Sequence, residues 1–179
     1  MIQIPYIMVI VLITTVWLIV RFVTTYKNSN IDWKREAQLL LVYICLIVVV
    51  RLTFFPFSKV DGKVQPLLFD AANILPFRLN FVPFVNLMDY EIRREALLNV
   101  IGNSFLFLPV GIVFPSVYKK LDTHWKVIAA GVGTSLSIEI LQLLFFDRVT
   151  DIDDLILNSA GYLLGYGIYL LVKKAKKKA

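Results

Sequence analysis

Hydrophobic positions in this chain come in long blocks and not in the alternation of a half-buried strand. Five blocks stand out, at about 4–23, 37–57, 97–118, 127–146 and 155–172, and each contains at most one charged residue. A helix crossing a bilayer needs roughly 17–25 mostly apolar residues, so each block predicts one transmembrane helix. Strands of an outer-membrane barrel would alternate over about ten residues. No basic region precedes the first block and no small-residue cleavage site follows it, which reads as a retained anchor and not a signal peptide. Between blocks two and three, PLLFDAANILPF and NFVPF are apolar but broken by proline. That pattern predicts an interfacial or re-entrant segment, which at membrane depth must be buried in protein or line a wet cavity. From Asp89, an expected N-cap, YEIRREALLNVIGN predicts an outward extension of the third span. Pro109, Gly111 and Pro115 predict a kink or loosened packing in its lower half. The expected fold class is all-α: a polytopic membrane helical bundle of about five transmembrane helices. Residues 1–57 would supply two helices joined by a cytoplasmic loop, and residues 58–179 the outer segment, three more helices and a basic tail.

Composition agrees. Of 179 residues, 58% are hydrophobic and the mean hydropathy is +0.72, beyond what a water-soluble globule carries. The net charge of +6 points to no nucleic-acid partner once its placement is considered. Arg21, Lys27, Lys34, Arg35, Lys119, Lys120, Lys126 and the tail lysines put 12 basic residues against three acids on one side. The other side has seven basic residues against nine acids, with Glu139 inside a span. The positive-inside rule then places the N-terminus outside and the C-terminus inside, with the KKAKKKA tail as a cytoplasmic anchor near anionic lipid.

Polar groups inside apolar spans are costly and usually face the bundle interior or a cavity. Glu139 lies eight residues before Asp147, a depth of about 12 Å, with Ser135 and Gln142 on its helical face. Asn99 and Asn103 are i,i+4 neighbours on the third span, with Gly102 between them. Asp151, Asp154, Asn158, Gly161 and Gly165 share one face of the fifth, and Arg51 lies near the outer end of the second. All fall in the outer half, while the inner halves are almost wholly apolar. That is the pattern of one outward-opening site and not of a conduction path, which needs polar groups at every level.

Each residue also has a structural reading. Glu139 suits a protonated carboxyl or a partner of Arg51, and Arg51 a side chain reaching for the interface. The aspartates suit helix capping, and the asparagines interhelical hydrogen bonding. Gly161 and Gly165 form a small-xxx-small spacing for close helix packing, within the bundle or in a homodimer. No metal and no cofactor is expected. Asp151, Asp153 and Asp154 offer hard oxygens, but Arg148 would compete. His124 has no histidine or cysteine to share a zinc ion, and Cys45, the single cysteine, is an apolar filler that can form no internal disulfide.

Four motifs occur in order: NFVPF at Asn80–Phe84, NVIGNSFLFLPVG at Asn99–Gly111, SLSIEILQ at Ser135–Gln142 and RVTDIDDLILNSAGYLLG at Arg148–Gly165. Through them the chain resembles the VanZ-like family of bacterial membrane proteins over roughly residues 80–165, so that 58–179 would be the VanZ-like core. The pattern falls on Asn80, Pro83, Phe84, Asn99, Gly102, Asn103, Pro109, Gly111, Glu139, Gln142, Arg148, Asp151, Asp154, Asn158 and Gly161. The resemblance implies a bacterial cytoplasmic membrane and an outer-leaflet ligand, because the family's name member is associated with resistance to teicoplanin, a lipid-tailed glycopeptide.

The expected function is therefore binding of an amphiphile's head group, from a lipoglycopeptide antibiotic or a lipid-linked wall precursor. Arg51 and Arg148 would meet anionic groups, and Asn80, Asn99, Asn103, Glu139, Gln142, Asp151, Asp154 and Asn158 would line the site. Two other classes stay open. One is an enzyme acting on a polyprenyl-phosphate-type lipid, with Glu139 or Asp151 as general acid or base. The other is an assembly subunit that docks a membrane-protein partner through Gly161 and Gly165.

Overall fold

The structure, a computed structural model, describes residues 1–27, 31–55, 59–60, 62–70, 75, 77–84, 93–146 and 148–178, with backbone alone at 59–60, 93–96 and 98–99. The expected N-cap Asp89, residues 71–74 and 85–92 of the predicted re-entrant stretch, Asp147 and the Asn99 side chain lie outside the described residues.

Among the described residues five helices make up most of the structure: α1 (Tyr6–Lys27), α2 (Trp33–Phe54), α3 (Arg93–Val117), α4 (His124–Gln142) and α5 (Ile152–Lys178). Helices consecutive in the chain alternate in direction. The Tyr6 ring at the start of α1 meets Phe55 just past α2, with centroids 5.1 Å apart. At the far end Arg21 Nε donates to Glu36 Oε2 at 2.8 Å, and Arg35 donates to the Val117 carbonyl. Asp32 caps α2 by accepting from the Arg35 amide, and Thr123 caps α4 by accepting from the Lys126 amide. Both are the short oxygen-bearing side chains that satisfy first-turn donors.

Among the described residues four stretches are long and apolar enough to cross a membrane: Tyr6–Lys27, Trp33–Phe54, Val100–Val117 and Ile152–Lys178. α4 is diluted by Thr134, Ser135, Ser137, Glu139 and Gln142, and it stops four residues short of the predicted 127–146 span. The chain turns there. The Leu144 and Phe145 amides bond the Leu141 and Gln142 carbonyls, and the Phe146 amide crosses to Leu68.

The tightest packing joins α3 and α5, which run parallel. A Cβ at Gly161 would overlap the Ser104 carbonyl, one at Gly165 the Leu108 carbonyl, and one at Gly111 the Tyr162 carbonyl. Gly161 and Gly165 thus serve packing within the bundle. Of the kink or looser packing expected around Pro109, Gly111 and Pro115, the looser packing is not observed at Gly111, which lies against α5, and α3 is continuous through both prolines. Around this pair Phe107, Val110, Tyr162 and Tyr166 form the core with Phe55 and Val127. α1 buries none of its residues and leaves its apolar surface to lipid, held to α2 by Thr14 on the Tyr43 hydroxyl (2.7 Å) and by the Trp17–Tyr43 ring contact.

Short strands lie beyond the C-terminal end of α2 and before α5. β1 (Ile2–Ile4) pairs antiparallel with β4 (Leu67–Phe69), and β2 (Lys59–Val60) with β3 (Lys63–Val64). β5 (Leu79–Asn80) pairs in parallel with β6 (Thr150–Asp151). This last pairing brings the NFVPF motif onto the start of α5.

Candidate functional site

Where α2 finishes and α5 begins, polar groups from four helices meet. A cavity of about 190 Å³ is lined by Leu52 and Thr53 of α2, Asn103 of α3, Glu139 and Gln142 of α4, Arg148 and Val149 of the following turn, and Asp154 and Asn158 of α5.

Glu139 reaches this place by a route that counting residues does not reveal. α4 ends three residues after it, so the carboxyl is in the last turn, about 4.5 Å from the helix end and not about 12 Å below it. The chain then folds back to the same level. Thr150 Oγ1 donates to the Glu139 carbonyl at 2.9 Å, and the Asp151 amide donates to Glu139 Oε2 at 3.2 Å. Glu139 is 3% exposed, and its Oε1 has no hydrogen-bond partner.

Two more acceptors share this condition. Gln142, 5% exposed, donates through Nε2 to the Thr53 carbonyl at 2.9 Å, which turns its Oε1 away without a partner. Asn158, 1% exposed, has an equally unpartnered Oδ1. A buried acceptor left unsatisfied costs about 1–3 kcal/mol, so three of them at one cavity create a demand for donors such as hydroxyls, an ammonium or water. Arg148 is the one cation among the described residues of the lining, and it donates to the Phe54 carbonyl. Asp154 accepts from Asn103 Nδ2.

Three predicted residues do not line this cavity. Arg51 donates to the Phe55 carbonyl at 2.9 Å and lies over the Tyr6 ring, 5.5 Å from its centroid, so it finishes α2. Asp151 caps α5: its Oδ1 accepts from the Asp153 amide at 2.9 Å, and its Oδ2 from Asn80 Nδ2 at 3.0 Å. Asn80 in turn accepts from the Val82 amide. Of the two carboxyls considered for acid–base work, Glu139 lines the cavity and Asp151 holds the fold around it.

The sequence offered Asp153 only for helix capping or a metal, and it gave no pointer to Thr53. Asp153 is buried and accepts the Phe84 amide with both oxygens, at 2.9 and 3.0 Å. Phe84 carries φ 59°, a left-handed conformation that costs a side-chain-bearing residue about 1–2 kcal/mol. The adjacent aspartates therefore split, Asp154 to the cavity and Asp153 to the NFVPF loop, as successive positions on a helix must. The i,i+1 spacing was a usable signal for that divergence, whereas Thr53 contributes a backbone carbonyl and left no signal. Among the described residues no three His, Cys, Asp or Glu side chains gather as a metal-binding group.

The VanZ/LLP1 family model matches residues 39–173. Protein VanZ of Enterococcus faecium is 30% identical over 134 residues, covering 75% of this chain and 74% of the relative. The family match begins inside α2, the helix that brings Leu52 and Thr53 to the cavity, and so reaches further toward the N-terminus than the four motifs do. No solved structure matches.

Proposed function

This chain belongs to the VanZ/LLP1 family, and we propose that it binds the polar head of a membrane amphiphile in the cavity around Glu139, with that end facing outward from a bacterial cytoplasmic membrane. The observation that carries the reading is the trio of buried, unpartnered oxygens on Glu139, Gln142 and Asn158 beside the Arg148 guanidinium. A head group bearing both hydroxyls and an anionic group satisfies that set, the hydroxyls donating to the three oxygens and the anion accepting from Arg148.

Size narrows the ligand. About 190 Å³ is the liquid volume of roughly six waters, enough for a phosphate or part of one sugar and far too little for a whole glycopeptide. A lipid-linked envelope precursor therefore fits better than complete enclosure of a lipid-tailed antibiotic, of which only a projecting sugar or acid would enter. The exposed apolar residues Phe81, Val82 and Val149 beside the site suit a ligand whose tail stays in the membrane.

The test is binding by the purified chain in lipid nanodiscs, with a polyprenyl pyrophosphate, teicoplanin and a glycopeptide without a lipid tail as probes. The tailed probes should bind and the tail-less one should not. Glu139→Gln and Arg148→Gln should each weaken binding roughly 10- to 100-fold, the loss of one hydrogen bond to a charged group. The double variant should be little worse than either single one, because the members of one site do not add. Equal binding of all probes by the wild-type chain and both variants would refute the reading. Turnover of the pyrophosphate would move the site to the enzyme class.

A further inference from the structure

We infer that the opposite, lysine-rich end holds a second ligand site: a groove between α3, α4 and α5 that takes the phosphate head of an anionic phospholipid. The groove encloses about 620 Å³. Its walls are both apolar and basic, Leu121 and Leu170 on the one hand and Lys119, Lys173, Lys174 and Lys177 on the other. That combination suits an amphiphile better than a free ion.

Three observations separate this groove from a merely solvated charge run. First, its lysines are not spent on carboxylates. Asp122 is the one acid among the described residues of the lining, and Lys126, which does not line the groove, holds it at 2.8 Å. That hydrogen bond is the main cause that keeps the Asp122 carboxyl below the usual carboxylate range. No ion pair among the described residues involves the four groove lysines.

Second, the groove is built from side chains held in place. The Tyr166 hydroxyl is hydrogen-bonded to His124 Nδ1 at 2.7 Å, Tyr166 stacks on Tyr169, and Lys173 Nζ lies 5.6 Å from the Tyr169 centroid. Third, the groove lies at the level where lipid head groups are found. Trp125 follows His124 in the chain and is 78% exposed, and Trp33 at the same end is 77% exposed. Tryptophans with an apolar body and one polar N–H mark the membrane–water interface. A phosphate between Lys119 and the α5 lysines would leave its acyl chains along Leu170, the apolar part of the α5 wall of the groove.

The experiment is native mass spectrometry of the full chain released from detergent, with phosphatidylglycerol or phosphatidylcholine added. Phosphatidylglycerol should stay bound at activation energies that strip phosphatidylcholine. Lys173→Gln/Lys174→Gln should lower its retention roughly thirtyfold, from the attraction expected of two lysines near a head group. Lys176→Gln/Lys178→Gln removes the same charge outside the groove lining and should retain the lipid. Because all four lysines are exposed, unchanged helical circular dichroism is expected in both variants and separates lost binding from lost folding. Equal losses in both pairs would reduce the effect to diffuse attraction by the tail, and no preference for phosphatidylglycerol would overturn the site outright. Displacement by millimolar inorganic phosphate would show a phosphate site and sink the lipid. None of these outcomes bears on the Glu139 cavity, which lies at the other end of the bundle.

Discussion

At the scale of single residues, neighbouring acids in one short stretch do different work. Asp151 is a helix cap with two donors on its carboxylate, whereas Asp153 clamps the amide of a left-handed Phe84. Asparagine caps a helix about as well as aspartate, so Asp151→Asn should cost under about 1 kcal/mol. Asp153→Ala removes the carboxylate that accepts the Phe84 amide and should cost about 1.5–3 kcal/mol, the loss of a hydrogen bond to a charged group. Thermal unfolding of the two variants in detergent checks the order. Equal stability would mean that the clamp on the NFVPF loop contributes nothing. The same four letters, DIDD, were open to capping, metal binding or a site, because which face each aspartate takes depends on where α5 starts and on what packs against it.

At the scale of elements, the α3–α5 pair positions the site, since Asn103, Asp154 and Asn158 are placed by how closely these helices approach. Gly161→Ala would drive a methyl into the Ser104 carbonyl, and a rigid backbone atom cannot yield as a side-chain tip would. Overpacking of this kind costs about 1–3 kcal/mol and should open the cavity as well. Gly167→Ala is the control, because a Cβ there meets nothing within 4 Å. It should be neutral or raise stability by about 0.5–1 kcal/mol. Unfolding of both in the same detergent separates the two outcomes. The small-xxx-small spacing was legible in the sequence, but its partner was not. Gly111, read as a loosening point, is instead the third contact of the pair, because a glycine beside proline signals flexibility only until another helix covers it.

At the scale of the whole molecule, all helix contacts sort the loops onto two ends, one with the cavity and the strands, the other with the lysines. The positive-inside rule predicts that the lysine end is the cytoplasmic one. In a Cys45→Ala background, single cysteines at Lys63 and Val149 should react with an impermeant thiol reagent on intact cells, and those at Lys120 and Lys176 should not. The reverse pattern would turn the cavity inward and end any outer-leaflet role.

Hydrophobic blocks sufficed to predict a helical membrane bundle, because the penalty for an unsatisfied backbone in lipid leaves a chain of this length few alternatives. The list of costly polar residues was likewise readable, since burial in apolar surroundings is a property of local sequence. Depth and partnership were not. Glu139 lies in the last turn of α4 because the chain reverses at Leu143 and returns with Asp151, and a reversal is set by contacts with Leu68 and Arg78 far away in sequence. Arg51 looked like a site residue by depth alone, yet its guanidinium meets the Phe55 carbonyl and the Tyr6 ring. One-dimensional spacing says which residues share a helix face. Which faces then meet is decided by long-range packing, and that is why Glu139, Gln142 and Asn158 share a cavity while Arg51, Asn80 and Asp151 brace its surroundings.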